Sequence, residues 1–215
     1  MPRARYRLVL ILIVMAVSSS RASAQVGRSL WVIDPNVAQE RELLAVAGLS
    51  PELVKAIVKA RPFMAMAEFE AFLGRVLERD PRHTIYLRLF VPINVNIATD
   101  EEWRLVPGIG AHMLADFKAN RPFPSLAAFA QEVGKYLPPK EAADLIQYVF
   151  VPVDVNVASD DDLRTIPGMT PKLITAIKRH RPYRDLAAFG KAIRKTVSAK
   201  EAARLGGFFR TATTP

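Results

Sequence analysis

The 215-residue chain has no cysteine and only three histidines, His83, His112 and His180. Without thiols no disulfide can form, so stability rests on packing. No histidine pair has HExxH spacing, which leaves zinc and thiol chemistry without a visible foundation. A G-x-S-x-G turn, a dinucleotide fingerprint and a Walker-type phosphate loop are also missing. Two acidic clusters, Asp100-Glu101-Glu102 and Asp160-Asp161-Asp162, invite a reading as catalytic carboxylates. Their recurrence at expected helix starts is explained more simply by capping and helix-end electrostatics. The chain is therefore read as non-enzymatic, with no cofactor, no metal and no small-molecule substrate.

Long apolar runs are scarce as well. The one exception runs from Leu8 to Val17, behind Arg3, Arg5 and Arg7 and ahead of Ala22-Ser23-Ala24. This order has the form of a secretory signal peptide over residues 1–24, with residues 25–30 as a leader. The strongly apolar part is short for about 30 Å of hydrocarbon, although flanking Ala and Ser can extend it into an uncleaved anchor. The expectation is export, to the periplasm, with an N-terminal membrane anchor as the alternative. Cleavage removes four arginines and lowers the net charge from +9 to +5, the balance of 26 Lys and Arg against 21 Asp and Glu.

What the sequence has in abundance is periodicity. Laying residues 91–150 over 151–210 without a gap gives 22 identities. Asn36, Ala38, Gly48, Arg61, Pro62 and Phe69 place a divergent copy over 31–90 in the same frame. A fixed period of this length predicts tandem units, either as three small domains or as one stacked array, followed by a frayed tail at 211–215. Charge is uneven among them: 8 basic and 8 acidic groups in 31–90, 5 and 7 in 91–150, 12 and 6 in 151–215. An anionic partner would favour the third unit.

The second unit gives the clearest local reading. Thr99 and Glu102 have capping-box spacing, repeated by Ser159 and Asp162, which predicts a helix from about Asp100 to Val106. Pro107 and Gly108 stop it. A second helix begins near Ala111, carries Met113, Leu114 and Phe117 on one stripe, and ends at Asn120-Arg121 before Pro122. Leu126, Phe129, Val133 and Leu137 form a third stripe. A fourth helix follows Pro138-Pro139 and runs through Ala142 and Leu145 to Tyr148–Phe150. The fold class is thus all-α, with three units of four short helices that depend on mutual burial.

Between the first two helices of a unit, Pro107-Gly108-Ile109-Gly110 presents successive amides where a helix begins, an arrangement suited to an anion. Asn94-Val95-Asn96-Ile97-Ala98-Thr99, the Leu105 to Gly110 turn and the helix ending at Arg121 together resemble the helix-hairpin-helix repeat of the ComEA-type competence family. The resemblance covers nearly all of the second and third units and weakly the first. It implies exported or membrane-attached proteins whose hairpins bind duplex DNA through backbone phosphates, without sequence preference. Similar modules also serve as extrinsic subunits of membrane complexes, so the partners implied are duplex DNA or a periplasmic or membrane-complex protein. Carried over by position, Gly108 and Gly110 are the phosphate-facing glycines and Ile109 the inward-packed tip. Gly168, Met169 and Thr170 are the corresponding residues of the third unit.

In the first unit Gly48, Leu49 and Ser50 stand at those positions. Ser50 and Thr170 also read as N-caps. Lys172 is well placed for phosphate, His112 helps modestly and Glu52 opposes it. Lys59, Lys118 and Lys178 recur at one helical position, where the simpler reading is a solvated face. Lys178, Arg179 and Lys195 join Lys172 as candidate backbone contacts, within a basic group that also holds Arg181, Arg184, Lys191 and Arg194. Asn36, Asn96 and Asn156 are expected to close local turns. Arg61, Arg121 and Arg181 are expected to form salt bridges or to cap carbonyls at helix ends. Phe69, Phe129 and Phe189 belong to the core.

Overall fold

A computed structural model describes residues 32–211. The expected signal peptide, the leader and residues 212–215 of the tail lie outside the described residues.

Among the described residues the chain is mostly helical. The helices are α1 (Glu40–Leu44), α2 (Pro51–Ala60), α3 (Met66–Leu73), α4 (Arg79–Tyr86), α5 (Asp100–Leu105), α6 (Ala111–Ala119), α7 (Leu126–Val133), α8 (Pro139–Ile146), α9 (Asp160–Arg164), α10 (Pro171–Arg179), α11 (Leu186–Ile193) and α12 (Ala199–Gly206). Their starts follow from local chemistry. Thr99 and Ser159 complete capping boxes with Glu102 and Asp162, and Ser50, Ser125, Thr170, Asp185 and Ser198 each accept an amide from the first turn. Gly48, Gly108 and Gly168 all have positive φ, at 91°, 85° and 86°, which lets the chain reverse between paired helices.

Two expectations about helix ends are corrected. Tyr148–Phe150 does not continue α8. Instead β2 (Val149–Phe150) pairs in parallel with β1 (Ile93–Asn94), and β3 (Val153–Asp154) pairs likewise with β4 (Phe209–Arg210). A parallel bridge between Ile33 and Leu89 stands at the matching place earlier in the chain. Each pairing joins the start of a sixty-residue segment to its end, so the segment closes on itself through extended backbone rather than helix. Leu137 likewise lies beyond α7, which ends at Val133 with Gly134 as its C-cap, and it packs on the core from the following turn.

The buried side chains form two clusters. One is continuous from Val32 to Val151 and contains Trp103, Phe69, Phe117 and Phe129; the other runs from Val155 to Phe209 around Phe189. The first two segments therefore share a core. Tyr148 donates to the Leu87 carbonyl at 3.1 Å and meets the Phe90 ring edge-on at 5.1 Å between centroids. Phe150 reaches the other way, with its ring 4.3 Å from that of Phe208.

Candidate nucleic-acid interface

One hydrogen-bonded frame positions each turn. Asn36 donates through Nδ2 to the Phe63 carbonyl at 3.0 Å, and its Oδ1 accepts the Phe63 amide at 2.7 Å. Asn96 does the same with Phe123, at 3.0 and 2.7 Å, and Asn156 with Tyr183, at 2.9 and 2.7 Å. These residues do not merely close local turns: each side chain satisfies both backbone groups of a residue 27 positions on. Local geometry is supplied by the residue two before, since Asp34, Asn94 and Asp154 accept the amides of Asn36, Asn96 and Asn156.

Arg61, Arg121 and Arg181, each followed by a cis proline bond, complete the frame. Their Nη2 groups donate to the carbonyls of Ala38, Ala98 and Ala158 at 2.8, 2.9 and 2.8 Å. The carbonyl reading holds but its place changes, because those acceptors lie in loops just before α1, α5 and α9, not at a helix end. The guanidiniums thus tie the far end of the second helix of each pair to the entry of the first.

The recurring lysine is also engaged in the second and third segments. Lys118 donates to Asp100 at 2.6 Å, and Lys178 hydrogen-bonds Asp160. These bonds hold both carboxyls below the usual range. Arg104 and Arg164 face the same acidic first turns. The acidic clusters are occupied as helix caps and ion-pair partners, and among the described residues no group of His, Asp and Glu has the arrangement of a metal site.

The three turns differ where it matters for an external anion. Ser50 Oγ accepts the Leu53 amide and Thr170 Oγ1 the Leu173 amide, both at 3.2 Å. Pro51 and Pro171 have no amide to offer. Gly110 provides no side-chain cap, and Ala111 keeps its N–H. The amides of Gly110, Ala111, His112 and Met113 have no acceptor among the described residues. Ile109 is half-buried against the core while its amide closes the turn on Val106. Gly108 and Gly110 have open space where a side chain would project.

Gly168 is enclosed. A Cβ there would stand 2.9 Å from Arg204 Nη2, 3.1 Å from Val37 Cγ1 and 3.3 Å from Glu201 Oε1. Met169 is buried. A turn of the first segment covers the side-chain face of Gly168, and the burial of Met169 matches the inward packing of its counterpart Ile109. Lys172, Arg179 and Lys195 are exposed, and no ion pair engages them among the described residues. The open turn thus sits in the acidic second segment and the free cations in the third.

Sequence reasoning missed Arg204, which is buried. It donates to the Pro167 carbonyl at 2.7 Å and to Glu201 through Nε and Nη2, and its Nη1 lies 3.8 Å from Asp34 Oδ2 of the first segment. Burial pushes Asp34 up to about 6, against the pull of Arg204. Burial opposes the charge of Arg204 as well, but bonding to Glu201 and the field of Asp34 outweigh it. The signal for Arg204 was weak because Thr84 and Asp144 occupy its frame position.

Comparison with protein-family models, with curated proteins and with solved structures returns no match.

Proposed function

We propose that the chain consists of three tandem helix-hairpin-helix units, similar to the ComEA-type family, and that it binds duplex DNA through the phosphate backbone after export. The observation that carries this reading is the uncapped start of α6, where four successive amides have no acceptor among the described residues, beside an unobstructed glycine turn. A phosphate oxygen accepts such amides with help from the positive helix end, and glycine lets the backbone approach without side-chain interference. Arg104 and Lys118 line the same groove as Gly110 and Ala111. Their acidic partner Asp100 lies there too, which limits the charge available and keeps affinity weak.

The third unit adds Lys172, Arg179 and Lys195 as phosphate contacts, with Lys178 a lesser contributor because Asp160 holds it. Phosphate contacts position the duplex and read no bases, so binding is insensitive to sequence. The test is titration of unrelated labelled duplexes at two salt concentrations. Affinity should fall steeply with salt and equally for each duplex, and joint replacement of Lys172, Arg179 and Lys195 by alanine should weaken them alike. Absence of binding at low salt would defeat the proposal. It would leave a non-enzymatic protein-interaction module, a reading favoured by the exposure of Ile97 and Val157, at 75% and 77%.

A further inference from the structure

Val37, Ile97 and Val157 share one position in the sixty-residue frame, at the tip of the turn preceding the first helix of each segment. Their surroundings differ. Val37 is half-buried, because its Cγ1 is seated on the α-carbon side of Gly168. Asp34, three residues earlier on the same turn, reaches Arg204 on α12. The first segment thus places an apolar knob and a polar partner into a groove formed by the glycine turn and last helix of the third.

The second segment has the same groove, open among the described residues. It encloses about 380 Å³ beside Pro107 and Gly108, with Leu145 and Tyr148 on one side and Val32 and Leu87 on another. Asp144 lines it at the frame position of Arg204, and Glu141 at that of Glu201. Within the chain, Ile97 does not reach this groove, since it is 75% exposed.

We propose that the groove at Gly108 receives the Ile97 turn of a second copy of this chain, repeating between molecules the seating that Val37 makes on Gly168 within one. Polar complementarity selects this turn over that of Val157. Asn94 Oδ1 is committed to the Asn96 amide at 3.0 Å, which leaves Nδ2 in the place that Asp34 Oδ2 takes toward Arg204. An amide donor there matches the Asp144 carboxylate, whose Oδ2 is also bound by Lys140 Nζ at 3.1 Å. The Val157 turn would bring Asp154 instead, and two carboxylates repel. Seating between unlike surfaces gives either a closed pair or a growing chain, according to whether two such contacts close on each other. The groove uses the Gly108 face of the turn with α8, whereas the uncapped amides lie with α5 and α6, so the assay below contains no DNA and is independent of the preceding proposal.

The test is sedimentation velocity of the purified protein over a concentration series reaching about 1 mM, where even weak contacts populate. The expected result is a mass that rises with concentration. Ile97→Asp should weaken association about tenfold or more, and Val157→Asp should leave it unchanged. Asn94→Asp, which places the residue found at 34 and 154, should weaken it by setting a carboxylate against Asp144. Adding Asp144→Arg should restore it by recreating the Asp34–Arg204 pairing between copies. Circular dichroism confirms that each variant is folded. A wild-type protein that stays monomeric throughout, an association indifferent to Ile97→Asp, or a failure of Asp144→Arg to rescue folded Asn94→Asp would each overturn the proposal.

Discussion

Asp34 and Arg204, 170 positions apart in sequence, meet in the interior with carboxylate and guanidinium 3.8 Å apart. That separation is too long for a hydrogen bond, and each of the facing atoms, Asp34 Oδ2 and Arg204 Nη1, has no other hydrogen-bonding partner among the described residues. The pair fixes where the first segment meets the third, and it holds a charge that burial opposes.

A pH dependence follows. The Asp34 carboxyl titrates at about 6 in the folded chain against 3.8 for a free side chain. Its protonated form therefore favours folding, and its contribution is full below about pH 4 and lost as pH rises through 6. Asp34→Asn keeps the acceptor for the Asn36 amide and removes this titration. Urea denaturation from pH 4 to 7 should show the variant gaining on the wild type by about 3 kcal/mol at most. A constant difference across that range would mean that the carboxyl is not perturbed.

The glycine turns offer a paired comparison. Gly108 and Gly168 have nearly the same positive φ, at 85° and 86°, so alanine costs each about 1–2 kcal/mol of backbone strain. At Gly168 the added methyl also meets Arg204 Nη2 at 2.9 Å, and that group is held by the Pro167 carbonyl. Gly168→Ala should exceed Gly108→Ala by about 1–3 kcal/mol in chemical denaturation. Equal costs would show that the first segment does not rest there.

Helix starts and the glycine turns were legible in the sequence because they depend on residues three or four apart. Thr99 with Glu102, and Pro107 with Gly108, carry their own geometry. The asparagine frame was not, since nothing local shows that Asn96 bonds to Phe123 rather than to its own turn. The strand at Val149–Phe150 was hidden because a short apolar run suits strand and helix alike, and only its partner Ile93–Asn94 decides. At the site, the repeat exposed Gly108, Gly168 and the lysines but could not show that Val37 covers one turn. Identical motifs acquire different surroundings only through packing between segments.

The asparagine frame carries its own expectation. Asn96→Ala removes both bonds to Phe123 and leaves its amide and carbonyl unsatisfied in a mostly buried position. Unfolding in urea should be easier by about 2–4 kcal/mol with an unchanged m value. A loss near zero would show that another group replaces the side chain.

Capping the open turn separates stability from binding. Gly110 has an ordinary φ of −95° and no side-chain cap, so Gly110→Thr can accept the Met113 amide as Thr170 accepts that of Leu173. Stability should rise by roughly a few tenths of a kcal/mol, while duplex affinity falls because one of the four unpaired amides is taken. Unchanged affinity in a more stable protein would remove the α6 start from the interface.

The most direct measurement follows the backbone amide signals of the protein by NMR while a short duplex is added at low salt. The account predicts that Gly110, Ala111 and His112 shift most, with smaller changes at Lys172, Arg179 and Lys195, and that added salt reverses them. Shifts that spare the Gly110–His112 amides while the duplex is bound would contradict it.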